Sequence, residues 1–570
     1  MNMRKFCLAI LLGCFSMSLF AQPTFPVNGV GDERETTYAF KNATIVKNAQ
    51  QQLSNATMLV RNGKIIAIGT SVVLPADAIV IDCSGKYIYP SFIDVYADYG
   101  MPAQQAQGAF RGFGGPAQLT SNTKGAFGWN QAIKADMEAG KMFVTDDAKA
   151  KPMREIGFGA VLTHQRDGIA RGTGTFVSLA NMKENKVILK EKASAHYSFN
   201  KGSSQQSYPS SMMGNISLLR QTYIDANWYK NNSDKEGVNL SLIAWNNSQS
   251  LPQIFEANDK WNIVRADKIG DEFGVQYIIK TNGNEYQRVN EIAATKSTLI
   301  VPLNFPMAMD VEDPNDARFV SIADMKHWEL APTNPAALEK AGIPFCLTTA
   351  DLRSPATFMT NLRKAIENGL SEAKALEALT STPATVLGVS NMAGSLEDGK
   401  LANFLITTGN IFNEKTAIIE NWIQGEKYVV KADKWKDASG KYTLIVQSAQ
   451  GSKSFNLDVK SSTAANIIAT DTITAKFSFD GKMVKINFAP EKKSKNMIRL
   501  SGMSNGDVWN GYGEDNDGNK MTWTATMSGA ADAAKADSAK KKMPSKLGAV
   551  TFPFTAFGWT EAPKQESILF

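Results

Sequence analysis

The sequence predicts an α/β fold: parallel strands from repeated βα units, set within a small β unit and followed by an all-β module. Three observations carry this. From Thr36 to Pro90 apolar residues recur with period two; from Ser91 to Leu387 short apolar runs alternate with segments of helical spacing; beyond about Lys431 strands and turns alternate. The 570 residues are 43% hydrophobic and 20% charged, which suits several folded domains with sizeable cores. Net charge is +6, but the basic residues are spread along the chain without a dense, aromatic-interleaved patch, so nucleic acid is not an expected partner.

At the start, Arg4 and Lys5 precede an apolar run from Phe6 to Phe20, with the small Ala21 before Gln22. This reads as a secretory signal peptide over residues 1–21, and places the mature protein in the periplasm or outside the cell. The alternative, a membrane anchor, needs about 20 apolar residues, more than the run supplies. "LLGC" at Leu11–Cys14 faintly suggests lipidation, but further apolar sequence follows Cys14. Once Cys7 and Cys14 leave with the signal, Cys83 and Cys346 remain, far apart; two separate buried thiols are expected, with a single bridge as the alternative.

In the first β unit, "ATMLVRNGKIIAIG" has Asn62-Gly63 as a two-residue turn between strands. In the middle, "FGAVLTH", "VNLSLIAWN", "VQYIIKTNG", "TLIVPLNFP" and "IPFCLTTAD" read as buried strands, with helices in "KWNIVRADKIGDEFG" and "EYQRVNEIAATK". "SPATFMTNLRKAIENG" is a helix with Ser354 as N-cap and Gly369 as its stop, and Ser371 caps another. "GSLEDGKLANFLI" returns to strand character, so the chain goes back to complete the first β unit. The expected division is 22–90 with 390–430 as a composite β domain, 91–389 as the inserted α/β domain, and 431–570 as a β-rich module. In that module Asp480-Gly481 joins two strands, and 529–546 is a low-complexity surface loop. "GAFRGFGG" (Gly108–Gly115) would be a mobile lid, the glycines of "IARGTGTF" serve a turn, and "EDNDGN" (Glu514–Asn519) is a turn rather than a calcium loop.

The lead "NATIVKN" and "VRNGKIIAIG", then "GKYIYPSFID", and finally "LTSTPATVLGVSNMAGSLEDGKLANFLI" together resemble the amidohydrolase superfamily, in its imidazolonepropionase-like branch, over about residues 36–430. Asn403 stands where the family usually has Asp. The resemblance implies a (β/α)8 TIM-like barrel inserted in a small β-sandwich domain. It also implies one or two metal ions at the C-terminal strand ends, where metal-bound hydroxide attacks a C–N or C–O carbonyl bond. Neutral imidazoles would hold the metal and an Asp on the last strand would take the proton.

Those ligand positions are changed. The first-strand His-x-His pair falls on Tyr96 and Asp98, Lys280 and Asn304 lie where mid-barrel histidines belong, and Ala350 replaces the catalytic Asp. Asp351, one step on, would point to the other face of a strand. Of the three histidines, His164 closes an apolar strand and would reach the barrel mouth or be satisfied locally; His196 and His327 lie in loop-like sequence with surface or packing roles. The pocket candidates are therefore Tyr96, Asp98, His164, Lys280, Asn304 and Asp351. Among them Lys280 facing Asp98 would replace a lost cation by a salt bridge, the alternative being a vestigial, solvent-filled cleft. No cofactor is expected; the alternative is one zinc or other divalent ion on Asp98 and His164.

These residues lead to an exported amidohydrolase-fold protein with a degenerate metal site, the non-catalytic or regulatory half of a hydrolase pair. The alternatives are an active hydrolase on non-peptide C–N bonds and a periplasmic binding module for a small-molecule or peptide-like ligand. The final "KQESILF" has the texture of "ERETTYAFKNAT" near the start. The chain thus resembles the first half of tandem bacterial amidohydrolases, with a separately encoded catalytic chain as the expected partner; the alternative is that Ser567–Phe570 simply closes a local sheet.

Overall fold

The computed structural model describes residues 36–550 apart from 104–117, 123–127, 311–312, 432–437, 462, 469–470, 480–482, 492–493, 495, 506–507, 531–546 and 549. The signal-like start, the Gly108–Gly115 loop, the Asp480-Gly481 turn, residues 531–546 of the low-complexity stretch and the terminal Ser567–Phe570 segment lie outside the described residues. Among the described residues no helix is long and apolar enough to cross a membrane.

Strands β1 (Thr37–Val46), β2 (Gln52–Arg61), β3 (Lys64–Gly69), β4 (Ile79–Asp82) and β5 (Tyr87–Pro90) build the first unit. Asn62 and Gly63 take φ of 51° and 70°, the left-handed pair that a tight hairpin needs between β2 and β3.

The barrel strands follow: β6 (Phe92–Ala97), β7 (Phe158–Thr163), β8 (Ala170–Ser178), β9 (Ile188–Ser198), β10 (Gln253–Glu256), β11 (Ile278–Lys280), β12 (Leu299–Pro302) and β13 (Phe345–Thr348). They pair in chain order from β6 to β13 as a TIM-like sheet. One strand departs from the all-parallel pattern: β8 runs antiparallel to both β7 and β9. Ile93, Val95, Leu162, Phe176, Ile254, Ile300 and Cys346 make one buried cluster within it.

β14 (Phe404–Thr407), β15 (Ile418–Ile423) and β16 (Glu426–Val429) then return to the first sheet, β14 pairing antiparallel with β5. Phe40 sits edge-on to Phe404 at 4.9 Å and to Trp422 at 5.1 Å, so residues more than 360 positions apart share one core. Finally β17 (Gly440–Ser448), β18 (Gly451–Ser461), β19 (Ala464–Ile468), β20 (Thr472–Phe479), β21 (Met483–Phe488), β22 (Ile498–Asn505), β23 (Val508–Glu514) and β24 (Lys520–Ala530) form a closed antiparallel barrel. Tyr442, Phe477, Trp509 and Trp523 are buried in its core. The "EDNDGN" stretch is the turn from β23 to β24, where Asp515 accepts the backbone N–H groups of Asp517 and Asn519.

Two expected elements change. "VNLSLIAWN" is a helix, Leu240–Ser248, because Asn239 caps it by accepting from Leu242 N, and the strand comes later at Gln253–Glu256. The glycines of "IARGTGTF" lie in the fully buried β8 rather than in a turn. A Cβ on Gly174 would stand 2.6 Å from His196 Nε2, so that glycine makes room for the ring. Cys83 and Cys346 are both buried free thiols.

Candidate functional site

Parallel strands place their C-terminal residues at one end of the barrel, where loops can gather around a ligand. Tyr96 lies near the end of β6, His164 just past β7, Glu256 at the end of β10, Lys280 at the end of β11, and Asp351 beyond β13. The reversed strand adds two more groups. Since β8 runs the other way, its beginning faces the same end, which brings in Arg171 together with Arg166 from the preceding connection.

These residues form a network of fixed charges. Glu256 accepts from Arg166 Nη2 at 2.8 Å and lies 2.6 Å from Arg171 Nη2. Lys280 pairs with Asp351, which Arg166 also reaches at 3.4 Å. The Tyr96 hydroxyl accepts from Arg171 Nη1 at 2.8 Å, and its ring lies 5.1 Å from the Arg166 guanidinium carbon. Arg171 and Lys280 side chains are only 4% and 3% exposed, so neither charge can rely on water. Burial alone would raise the Glu256 carboxyl, but Arg171, Arg166 and Lys280 outweigh it and hold it down at about 2. Burial pushes the Tyr96 hydroxyl well up, so it stays protonated.

Behind this network, His164 and His196 stack at 3.6 Å with ring planes 6° apart, and Tyr96 meets His164 edge-on at 4.6 Å. Both rings are buried. His196 Nε2 shares a 2.7 Å hydrogen bond with Ser194 Oγ, while His196 Nδ1 and both His164 nitrogens have no protein partner. Burial is the first cause that drives both imidazoles well below their ordinary 6.5, followed by His196 and then Arg171 for His164 and by Arg171 for His196, so they are neutral at pH 7.

Asp94 lies deeper on β6. Fully buried, its carboxylate accepts from Tyr96 N, Thr348 Oγ1, Thr349 N and Thr349 Oγ1 at 2.6–3.0 Å.

Of the six candidates, four converge: Tyr96, His164, Lys280 and Asp351. Lys280 does pair with an aspartate, but with Asp351 and not Asp98, which is exposed at the turn after β6. Asp351 faces the network because it lies past the strand with φ of 64°, which turns its side chain back to Lys280. Asn304 is half-buried two residues beyond β12, with its Oδ1 2.9 Å from where a Gly283 Cβ would be. His196 is in β9 rather than a loop. His327 is in the helix Ile322–Leu330, 3.1 Å from the Tyr286 hydroxyl.

Glu256, Arg166, Arg171 and Asp94 were not among the candidates. "THQRDGIARG" holds three of the network's groups within eight residues, a charge-dense stretch between two apolar runs, but its antiparallel course cannot be read from a pattern that parallel strands share.

Residues 330–436 match the model of the amidohydrolase family. None of the curated proteins matches the sequence. Among solved structures, an amidohydrolase from Thermotoga maritima is 22% identical with a TM-score of 0.54, over 68% of this chain and 99% of that one. A prolidase in complex with N-methylphosphonate-L-proline (12% identical, 69% and 100% covered, TM-score 0.43) is similar only loosely. So is a beta-aspartyl dipeptidase from Fervidobacterium islandicum (15%, 69% and 96%, 0.40). The chain thus shares the fold of the Thermotoga maritima amidohydrolase, and its residues 330–436 match the amidohydrolase family model.

Proposed function

We propose that this chain is a non-catalytic member of the amidohydrolase fold, in which side-chain cations stand where the fold family implies metal. The observation that supports this reading is the network of Arg166, Arg171 and Lys280 on Glu256 and Asp351, at the strand ends. Three fixed positive charges against two carboxylates leave an excess of one positive charge. A divalent cation brought among them would meet repulsion on every side, and the carboxylates that might hold it are already taken.

The donor set also fails on geometry. Imidazole lone pairs lie in the ring plane, so those of His164 and His196, in near-parallel planes with centroids 3.6 Å apart, cannot meet at one ion lying in both planes. Asp98 and His164 do not form a pair, since one is exposed and the other fully buried. Among the described residues no three His, Cys, Asp or Glu side chains gather. The residues present therefore do not fit a resident divalent metal.

One observation favours the rival reading, an active hydrolase with an atypical site: three buried imidazole nitrogens without a protein partner, which ask for water or a ligand. The proposal extends to location and partnership: an exported chain, working as the regulatory or scaffolding half beside a separately encoded catalytic amidohydrolase. Metal analysis of the purified full chain after dialysis tests the site. Well under one zinc, iron or manganese per chain supports the proposal, and stoichiometric metal with turnover of C–N substrates overturns it. Co-purification from the native host tests the pairing, which fails if the chain elutes without an amidohydrolase partner.

A further inference from the structure

We propose that a pocket of about 330 Å³ on the outer face of the α/β barrel binds a free α-amino acid with a branched aliphatic side chain, taken as the zwitterion. This site lies apart from the network at the strand ends and does not depend on its reading.

Three walls build the pocket. β8 and β9 supply Thr173 and Lys192, and the chain entering the short helix Ala139–Met142 supplies Asp136, Glu138 and Lys141. The helix Leu240–Ser248 makes the third wall. Gly174 faces His196 inside the barrel, so its neighbour Thr173 points outward, away from the histidines. On the helix, Leu240, Ile243, Ala244 and Asn247 line the pocket at the spacing of a single helical face, and Leu251 follows just beyond its end. Ser241 anchors that helix to the opposite wall, since its hydroxyl donates to Asp136 Oδ1 at 3.1 Å and accepts from Gly128 N at 2.9 Å.

The polar groups are unevenly satisfied. Thr173 is 5% exposed, and its hydroxyl has no protein partner, so it asks for one from outside the chain. Asp136 is half-buried with the neutral Ser241 hydroxyl on one oxygen, and among the described residues it enters no ion pair. Glu138 is the opposite case: Lys192 at 3.0 Å and Lys141 at 3.1 Å take its two oxygens. Burial would raise its carboxyl, but those two lysines outweigh it and hold it below its ordinary value. Two carboxylates and two lysines thus leave no net charge, yet Asp136 lacks a cation while two cations share Glu138. A zwitterion complements this division, its ammonium on Asp136 and its carboxylate toward the lysines. A ligand with one charge would gain one of these contacts and forgo the other.

Size and the remaining wall set the body of the ligand. The volume is at the lower end of small-molecule sites, which run roughly 300–1,000 Å³. Leu240 and Ile243 are 41% and 37% exposed, aliphatic surface that a ligand's side chain would cover. No aromatic residue is in the lining, which favours a branched aliphatic body over a planar ring.

The test is calorimetric titration of the full chain with L-leucine, with 4-methylpentanoate, which lacks the ammonium, with 3-methylbutylamine, which lacks the carboxylate, and with glycine, which lacks the side chain. The expected result is one leucine per chain, with each of the other three about tenfold weaker or worse. Asp136→Asn keeps an acceptor for Ser241, so its thermal melt should match the parent's while leucine affinity falls about tenfold or more. If it does not fold, Ile243→Gln, at an exposed position, takes its place with a loss of about threefold expected. Absence of leucine binding, equal affinity for glycine or for either singly charged analogue, or a folded variant that binds leucine as the parent does would overturn the proposal.

Discussion

Arg171 and Glu256 approach to 2.6 Å inside the mouth of the α/β barrel, and Glu256 is shared with Arg166 at 2.8 Å on its other oxygen. The pair joins β8 to β10 across β9, so it fixes where the antiparallel strand enters the barrel. Replacing Glu256→Gln leaves the Arg171 guanidinium, 4% exposed, without its counter-charge. A loss of about 3 kcal/mol in unfolding free energy is expected, the lower end for breaking one partner of a buried pair. Arg171→Met combined with Glu256→Leu should cost less than Glu256→Gln alone, because it removes the stranded charge. Denaturant unfolding of the three proteins checks this, and equal losses would mean that Arg171 finds water instead.

Stability should fall with acid in two stages. His164 and His196 have folded-state values depressed well below 6.5, so the unfolded chain takes up their protons first. Their contribution is complete above 6.5 and declines as pH drops below it. Glu256, at about 2 in the folded state against an ordinary 4.5, adds its contribution above 4.5 and loses it as pH falls toward 2. Its share is on the order of 3 kcal/mol for a shift of that size. Urea midpoints across pH should therefore decline gently from about 6.5 and steeply below about 4.5. His164→Phe should flatten the first stage and leave the second; an unchanged slope between pH 6.5 and 5 would show that His164 does not titrate on unfolding.

Putting histidines back on the first strand should not restore metal binding. In Tyr96→His with Asp98→His, one new imidazole stands among Arg166, Arg171 and Lys280, and the other is at an exposed turn. The expected outcome is well under one zinc per chain and no metal-dependent hydrolysis. Stoichiometric zinc in this variant would show that the cations move aside. Losing the Tyr96 hydroxyl, which accepts from Arg171, should also lower the melting temperature.

The architecture was legible because its signals are local and repeated: the Asn62-Gly63 hairpin, the apolar runs at β7, β11, β12 and β13, and the return into β14 all follow from period and turn chemistry. The site was legible only where it lies on those runs. Tyr96 and Lys280 are at strand ends that the pattern located. Arg166 and Arg171 were missed because β8 has no parallel partner, and glycines that read as a turn are instead where backbone and His196 pack closely. Asp351 was assigned the wrong face because alternation holds within a strand, and β13 stops at Thr348.

Asp94 offers the sharpest test of how the barrel closes. The sheet runs from β6 to β13 without backbone pairing between those two strands among the described residues, yet they are in contact. What joins them most closely is the Asp94 side chain: rooted on β6, it takes the Thr348 hydroxyl and both the amide and hydroxyl of Thr349 at the end of β13, besides Tyr96 N on its own strand, while the Thr348 hydroxyl also lies 3.3 Å from the Tyr96 carbonyl. Four donors converge on a carboxylate with no exposure to water. Burial still raises its pKa, and the donors only partly offset that. Asp94→Ala would strand those donors, each costing about 1–3 kcal/mol if left unpaired in the interior. Asp94→Asn keeps one acceptor but turns an amide N–H₂ toward groups that are themselves donating. The expected order of stability is the parent, then Asn, then Ala, and the Thr349 amide should lose hydrogen-exchange protection in both variants before the core of β7 does. If Ala melts with the parent, or if Thr349 stays protected, the barrel is closed by packing of β6 on β13 and not by this carboxylate.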